Sequence, residues 1–433
     1  MAEPPASTLQ ERRRAWKWIP SLYFAEGIPY VLVMTVSVVM YKRLDISNAD
    51  IALYTSWLYL PWVIKPLWSP VVDLLGTKRA WITGMQLLVG AALAGVAFTI
   101  PMDSFFQWSL AFLWLVAFSS ATHDIAADGF YMLAMDDANQ AWFVGIRSTF
   151  YRLAMITGQG LLVMLAGWLE VRQSSVQEAW AVTFGIVAAG FLLLMVWHRF
   201  VLPVPDEDAP TARASGAALL SEFLATFVSF FRKPGIGIIL AFLLLYRFAE
   251  AQLAKMASPF LLDSVDAGGL ALTTAQVGLV YGTVGVLALT LGGILGGMMV
   301  ARNGLKYWLW WMAIAINVPN AVYIFLSWSM PTSLLVVNAA VAAEQFGYGF
   351  GFTAYMMYMI YVSDGPHKTA HFALCTGFMA LGMMLPGMVS GWIQEALGYK
   401  MFFVYVLIAT VPGFVATALI PLRESFGRGE QAG

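Results

Sequence analysis

The chain has 433 residues, 60% of them hydrophobic and only 11% charged, with a mean hydropathy of +0.73. Soluble domains carry roughly 25% charged residues, so water cannot hold such a surface in solution, whereas bilayer hydrocarbon penalises only unpaired polar groups. The net charge of −1 excludes the basic footprint of a nucleic-acid partner, and the single cysteine, Cys375, excludes a disulfide framework or a multi-cysteine metal site.

A membrane-crossing helix needs about 20 apolar residues, so this length holds about a dozen. The first apolar segment follows a basic stretch (Arg12, Arg13, Arg14, Lys17). It lacks a small-x-small cleavage site, runs on to about Met40 and reads as the first span rather than a signal peptide. Apolar runs separated by turn signals predict twelve helices, near 18–41, 51–73, 80–100, 106–135, 142–168, 179–202, 236–262, 275–301, 305–328, 332–362, 369–394 and 400–421. The longest hydrophilic interruption, 203–234, follows the sixth span. Within it Leu220, Leu224, Phe227 and Phe231 recur at helical spacing, the pattern of a helix lying along a membrane surface. The fold expected is an all-α membrane protein with a six-helix half over 1–202, a cytoplasmic linker over 203–234 and a second six-helix half over 235–433.

Lysine and arginine set the expected orientation. With a cytoplasmic N-terminus, fifteen of the 24 fall on the cytoplasmic side, four on the opposite side (Lys42, Arg43, Arg172, Lys400) and five inside spans. Both termini are therefore expected in the cytoplasm.

The two halves resemble each other where their first helices begin. Phe24-Ala25-Glu26 in span one is matched by Phe248-Ala249-Glu250 in span seven, and Ala49-Asp50-Ile51-Ala52-Leu53 entering span two parallels Ala275-Gln276-Val277-Gly278-Leu279 entering span eight. The nearly equal offsets predict duplication. Six-plus-six halves are the architecture of major facilitator carriers, which bind substrate near the midplane between the halves.

Ten charged residues fall inside predicted spans away from their ends: Glu26, Asp124, Asp128, Glu250 and Glu344, against Lys65, Arg147, Arg152, Arg247 and Lys255. Each costs at least ~2.5–3.5 kcal/mol at a helix centre, so most must be paired, terminal or facing an aqueous cavity. Asp124 and Asp128 share one helical face, and Arg147 and Arg152 lie on the next, antiparallel helix. Arg247 and Glu250 are one turn apart. Such pairs either hold helices together or serve transport. Glu26, Glu250 and Glu344 are the candidate proton-exchanging carboxylates, since a carboxylate facing a cavity can couple transport to the proton gradient. His123, beside Asp124, either relays protons or makes a structural hydrogen bond.

Glycines such as Gly292, Gly296, Gly347 and Gly351 allow close helix packing. No phosphate-binding loop occurs, so the proton gradient rather than ATP is the expected energy source, with no cofactor. The four histidines do not show metal-ligand spacing. Tyr23, Trp57, Tyr151, Tyr246 and Tyr355 lie near the charged residues and are candidates to stack on a sugar or peptide.

Leu22-Tyr23-Phe24-Ala25-Glu26-Gly27-Ile28-Pro29 resembles the opening helix of the peptide/acetyl-CoA transporter branch of the major facilitator superfamily, which includes the AmpG-type muropeptide permeases. Lys65-Pro66-Leu67-Trp68-Ser69-Pro70 with Asp73 is similar to that branch's K-x-L-W-S-P-x-x-D element, Asp124-Ile125 with Asp128 to its D-I-x-x-D, and Tyr151-Arg152-Leu153 to its Y-R-L. Tyr246-Arg247 with Glu250, Glu344-Gln345-Phe346, Phe372-Ala373-Leu374 and Gly391-Trp392 with Glu395 extend the likeness through the second half. The chain departs from the pattern at His123 and His371, where the branch carries glutamine, and at Lys255, an added charge.

The resemblance implies inward, proton-coupled transport of an anhydro-muropeptide by a monomer in contact with membrane lipids. In it Lys65, Arg152 and Arg247 would neutralise substrate carboxylates, while Glu26, Asp124, Glu250 and Glu344 would carry protons or bind polar groups. Two alternatives stand beside this reading: a carrier or exporter of another polar or anionic metabolite (siderophore-like or acyl-CoA-like), and a membrane-embedded enzyme using Asp136-Asp137.

Overall fold

Short polar motifs start the helices. Ser47 Oγ accepts from the Asp50 amide at 3.0 Å, Thr77 Oγ1 from Ala80 at 3.1 Å, Asp136 from Asn139 at 2.8 Å and Ser175 from Glu178 at 3.2 Å. Thr273 and Gln276 form a reciprocal capping box. Each satisfies amides that the first helical turn leaves without partners. Asp136, a carboxylate set beside the membrane in sequence, thus works as the cap of the fifth helix.

The computed structural model describes residues 6–205, 208 and 216–428, excluding the side chains of 6–10, 73, 74, 137, 138, 141 and 216–223. The side chains of Asp73, Asp137 and Leu220 therefore lie outside the described residues. Those described form helices and connecting turns without a strand. Nine stretches among them are long and apolar enough to cross a membrane. One, Lys368–Leu419, is far longer than a single crossing and turns at Gly398 (φ 68°). Counted as two and joined by the helical segments 48–74 and Leu334–Ser363, it completes the expected twelve.

Several spans are broken. Span two runs as Asn48–Trp57 and Leu60–Leu74, and span seven as Ile236–Leu245 and Phe248–Leu262. Span nine passes through a tight turn over Val318–Asn320, and wider π-type turns interrupt spans one, five and eight. Such turns free backbone groups that neighbouring helices must satisfy. In the linker, Gly216–Phe231 is helical. Its buried side is Phe230, which stacks on Phe378 at 6.2 Å, while Leu224 and Phe231 are exposed.

Packing gathers the chain into two compact units, Met1–Val36 with Leu67–Ser215, and Ser37–Pro66 with Gly216–Gly433. The first has a core of Trp18, Ile19, Leu22, Ile82, Ala126 and Phe130. The second has a core of Phe242, Tyr246, Met312, Tyr355 and Tyr358. Grouping follows contact rather than chain order at Ser37–Pro66, and polar side chains hold that stretch in the second unit. Asn48 Nδ2 donates to Gln394 Oε1 at 2.6 Å and to the Tyr399 hydroxyl at 2.9 Å. Tyr399 in turn donates to Asp263 at 2.6 Å, and Asp263 pairs with Lys42 at 2.7 Å. Glu395 accepts from the Ala49 amide at 2.9 Å.

This approach requires glycine at 391, where an added Cβ would lie 2.6 Å from Ala49 Cα. Gly391→Ala is expected to destabilise the purified protein by about 1–3 kcal/mol, the usual cost of overpacking. Gly185→Ala, in a helix with nothing within 4 Å of the new methyl, should leave the melting temperature unchanged or raise it. Equal melting temperatures for both variants would refute the packing argument.

Candidate functional site

Two clusters of charged and polar side chains form, one in each unit. In the first, the helix carrying Tyr23 and Glu26 lies against the fifth span. Gly27 makes this possible, because a Cβ there would stand 2.7 Å from Ala154 Cβ and 3.1 Å from the Tyr151 carbonyl oxygen. Glu26 is buried, and its Oε2 has no hydrogen-bond partner. Asp124 stands within hydrogen-bonding reach of the Glu26 carboxyl, with Asp128 close by.

Asp128 is neutralised by a cation. Its Oδ1 lies 2.5 Å from Arg147 Nη2 and accepts from the Tyr23 hydroxyl at 3.4 Å. The guanidinium sits 4.4 Å from the Tyr23 ring centroid and 4.9 Å from that of Tyr131, adding cation–π attraction to the ion pair. Tyr151 lies beside Tyr30 and the three carboxylates, and Arg152, next in sequence, is partly buried.

His123 belongs to a buried chain of hydrogen bonds. Gln86 Nε2 lies 3.0 Å from His123 Nε2, Gln86 Oε1 lies 2.9 Å from His198 Nδ1, and Ser21 Oγ lies 2.9 Å from His198 Nε2. The amide donates through nitrogen and accepts through oxygen. That polarity makes His123 Nε2 an acceptor and His198 Nδ1 a donor.

In the second unit, Glu250 and Glu344 are each 2% exposed. Glu344 accepts from Gln345 Nε2 at 3.2 and 3.0 Å, while Glu250 Oε2 has no hydrogen-bond partner. Arg247 and Glu344 stand near enough to Glu250 to act on its charge. Arg247 follows the break in span seven and donates to the Tyr348 hydroxyl, with its guanidinium 4.9 Å from the Phe352 ring centroid. Tyr246 is used in packing: its ring stacks on Tyr355 at 5.4 Å and its hydroxyl donates to the Gly351 carbonyl at 3.0 Å. Lys65 lies in the same unit, partly buried.

The structure thus brings together Tyr23, Glu26, Asp124, Asp128, Arg147 and Tyr151 in the first unit, and Arg247, Glu250 and Glu344 in the second. Sequence reasoning did not assign the polar group of Lys42, Asn48, Asp263, Gln394 and Tyr399, nor Tyr348 beside Arg247. Asp263, a lone acid ending an apolar run, was the one signal available for the former.

Twelve apolar helices with a paired arrangement of intramembrane charges define a polytopic carrier. The Major Facilitator Superfamily profile matches residues 21–371, and the chain belongs to that family of transporters. Among its relatives, the anhydromuropeptide permease of Escherichia coli K12 is 28% identical over 404 residues, 91% of this chain and 77% of the permease. A putative transporter, AmpG 4, of Rickettsia conorii is 24% identical over 90% of this chain and 92% of its own. The solved nucleoside transporter NupG shares the fold with a TM-score of 0.68 at 17% identity, covering 94% of this chain and 99% of its own. A D-xylose–proton symporter does so with a TM-score of 0.66 at 12% identity, covering 96% and 98%.

Arg147→Ala and Asp128→Asn are each expected to lower the melting temperature of the purified protein. The double variant should lose less than the two together, with a coupling of about 1 kcal/mol. Strictly additive losses would show that the two residues do not act as a pair.

Proposed function

We propose that this chain imports anhydro-muropeptides, the sugar–peptides released by wall turnover, together with protons and by alternating access. The proposal places it in a bacterial inner membrane as a monomer with both termini in the cytoplasm. The observation that carries the proton role is the pair Glu26 and Glu250. They occupy equivalent places in the first helix of each repeat, both are buried, and each has a carboxylate oxygen without a hydrogen-bond partner. A carboxylate buried on these terms is costly when ionised and suited to take up a proton on one side of the membrane and release it on the other.

The cargo is supported by similarity to the E. coli permease across nine-tenths of the chain. In this scheme Lys65, Arg152 and Arg247 neutralise carboxylates of the peptide stem. Glu26, Asp124, Glu250 and Glu344 carry protons or bind polar groups, and Tyr151 offers a ring to the sugar. Asp128 and Arg147 keep the first cluster in register. The energy comes from the proton gradient and no cofactor takes part. The excess of lysine and arginine on one side of the predicted topology supports the orientation.

Uptake of labelled anhydro-muropeptide into proteoliposomes is expected to rise with an inward proton gradient. Glu26→Gln should lower gradient-driven uptake by at least about tenfold, about 1.4 kcal/mol in the driven step, while exchange of labelled for unlabelled substrate persists. Uptake indifferent to the gradient and intact in Glu26→Gln would overturn the proton role. No uptake by folded protein would overturn the cargo and direct attention to other anionic metabolites.

A further inference from the structure

Lys255 stands apart from the other membrane-buried cations. It lies in the second half of the broken seventh span and is only 3% exposed. Its Nζ donates to Thr55 Oγ1 at 2.9 Å, across 200 residues of chain, and lies 5.3 Å from the centroid of the Tyr59 ring. Among the described residues no carboxylate comes within ion-pair distance of it. Lys42 and Arg147, by contrast, have Asp263 and Asp128 at 2.7 and 2.5 Å.

An ammonium has three donors and a full charge. One hydroxyl and one ring leave both unmet. Two neighbouring polar atoms are also buried and without partners: Ser56 Oγ, next to Thr55, and Gln252 Oε1, one turn before Lys255 on its own helix. Span eleven closes over Ser56 and Lys255 at Gly387, where an added Cβ would stand 2.7 Å from Ser56 Oγ and 3.4 Å from Lys255 Cγ. A side chain serving only to fill this space would be apolar, because an uncompensated charge in hydrocarbon is expensive. The spare capacity sits together: a cation with open donor positions, a free hydroxyl and a free amide oxygen.

We propose that Lys255 is a substrate-binding residue that takes a carboxylate of the transported molecule, with the Ser56 hydroxyl as second donor and the Gln252 amide oxygen accepting a neighbouring N–H or O–H. In the structure the Thr55 hydroxyl and the Tyr59 ring stand where the anion goes. When the segment Asn48–Trp57 parts from the seventh span, the ammonium exchanges that hydroxyl for the carboxylate. This rests on the chain carrying an acidic sugar–peptide. It makes Lys255 a determinant of charge selectivity.

The test uses the full-length purified protein and the stabilisation of its melting temperature by two probes, anhydro-muropeptide and the same molecule with its stem carboxylates amidated. Wild type should prefer the acid, and Lys255→Met should weaken the acid about tenfold or more while leaving the amide unchanged. Lys255→Arg should retain the preference and Ser56→Ala should reduce it. Equal weakening of both probes by Lys255→Met would make the residue structural, and no weakening of either would remove it from the site. If Lys255→Met does not fold, Lys255→Arg and Ser56→Ala decide the matter by the same comparison. If wild type binds neither probe, the cargo reading fails by itself, and acetylated dipeptides and sugar acids with their matched amides replace the probes. A carboxylate preference lost in Lys255→Met then sustains the proposal, and the absence of any carboxylate preference in wild type overturns it.

Discussion

A charge buried in a bilayer has to be answered where it stands, because neither water nor lipid will do so, and this requirement organises both units. Removing one partner of a buried ion pair costs about 3–5 kcal/mol, since the remaining charge is stranded. Asp128 and Arg147 are only partly buried, and their attraction is supplemented by the rings of Tyr23 and Tyr131. In the second unit Asp263 gathers Lys42 and the Tyr399 hydroxyl, and through Tyr399 reaches Asn48 and Gln394. Among the buried polar atoms left without a hydrogen-bond partner, the carboxylate oxygens are those of Glu26 and Glu250, and in the second unit Ser56 and Gln252 add a hydroxyl and an amide oxygen. Groups of this kind are where a carrier can hold something that comes and goes.

The same economy separates structural polar groups from those free to act. Gln86 spends both ends of its amide on His123 and His198, and Glu344 spends both oxygens on Gln345. Tyr246 and Tyr355 spend their hydroxyls on carbonyl oxygens. Glu250, so close to Arg247 and Glu344, keeps one oxygen unspent.

Much of this was legible in the sequence, and the reasons are physical. Hydrophobic runs of spanning length report the helices directly, and the spacing of Asp124, Asp128, Arg147 and Arg152 on consecutive antiparallel helices foretold the Asp128–Arg147 pair. The Phe-Ala-Glu repeat marked Glu26 and Glu250 before their burial was known. Span two starts three residues before the first apolar position, Ile51, because the Ser47 side chain caps the helix through the Asp50 amide. The break at Leu58–Tyr59 has its signal in Pro61, which has no N–H to return to the Trp57 carbonyl, whereas the one at Tyr246–Arg247 has no glycine or proline at it for local rules to recognise. Lys255 showed as an added charge, but its lack of a carboxylate is a fact of packing between residues far apart in the chain. The tie between Asn48 and Gln394, 346 residues distant, is of the same kind.

The break in span seven has a consequence for how related sequences should be read. The ladder of backbone hydrogen bonds ends with the Tyr246 amide, which donates to the Phe242 carbonyl, and the Tyr355 hydroxyl donates to the Leu243 carbonyl beside the gap, while Tyr246 sends its own hydroxyl to Gly351. A phenol here acts as a detachable piece of main chain, supplying a donor that the interrupted helix has given up. Tyrosine and phenylalanine, nearly equal in volume and routinely scored as interchangeable, are then different statements about backbone geometry. A homologue with phenylalanine at 355 would need either a straighter seventh helix or another donor to take up that carbonyl.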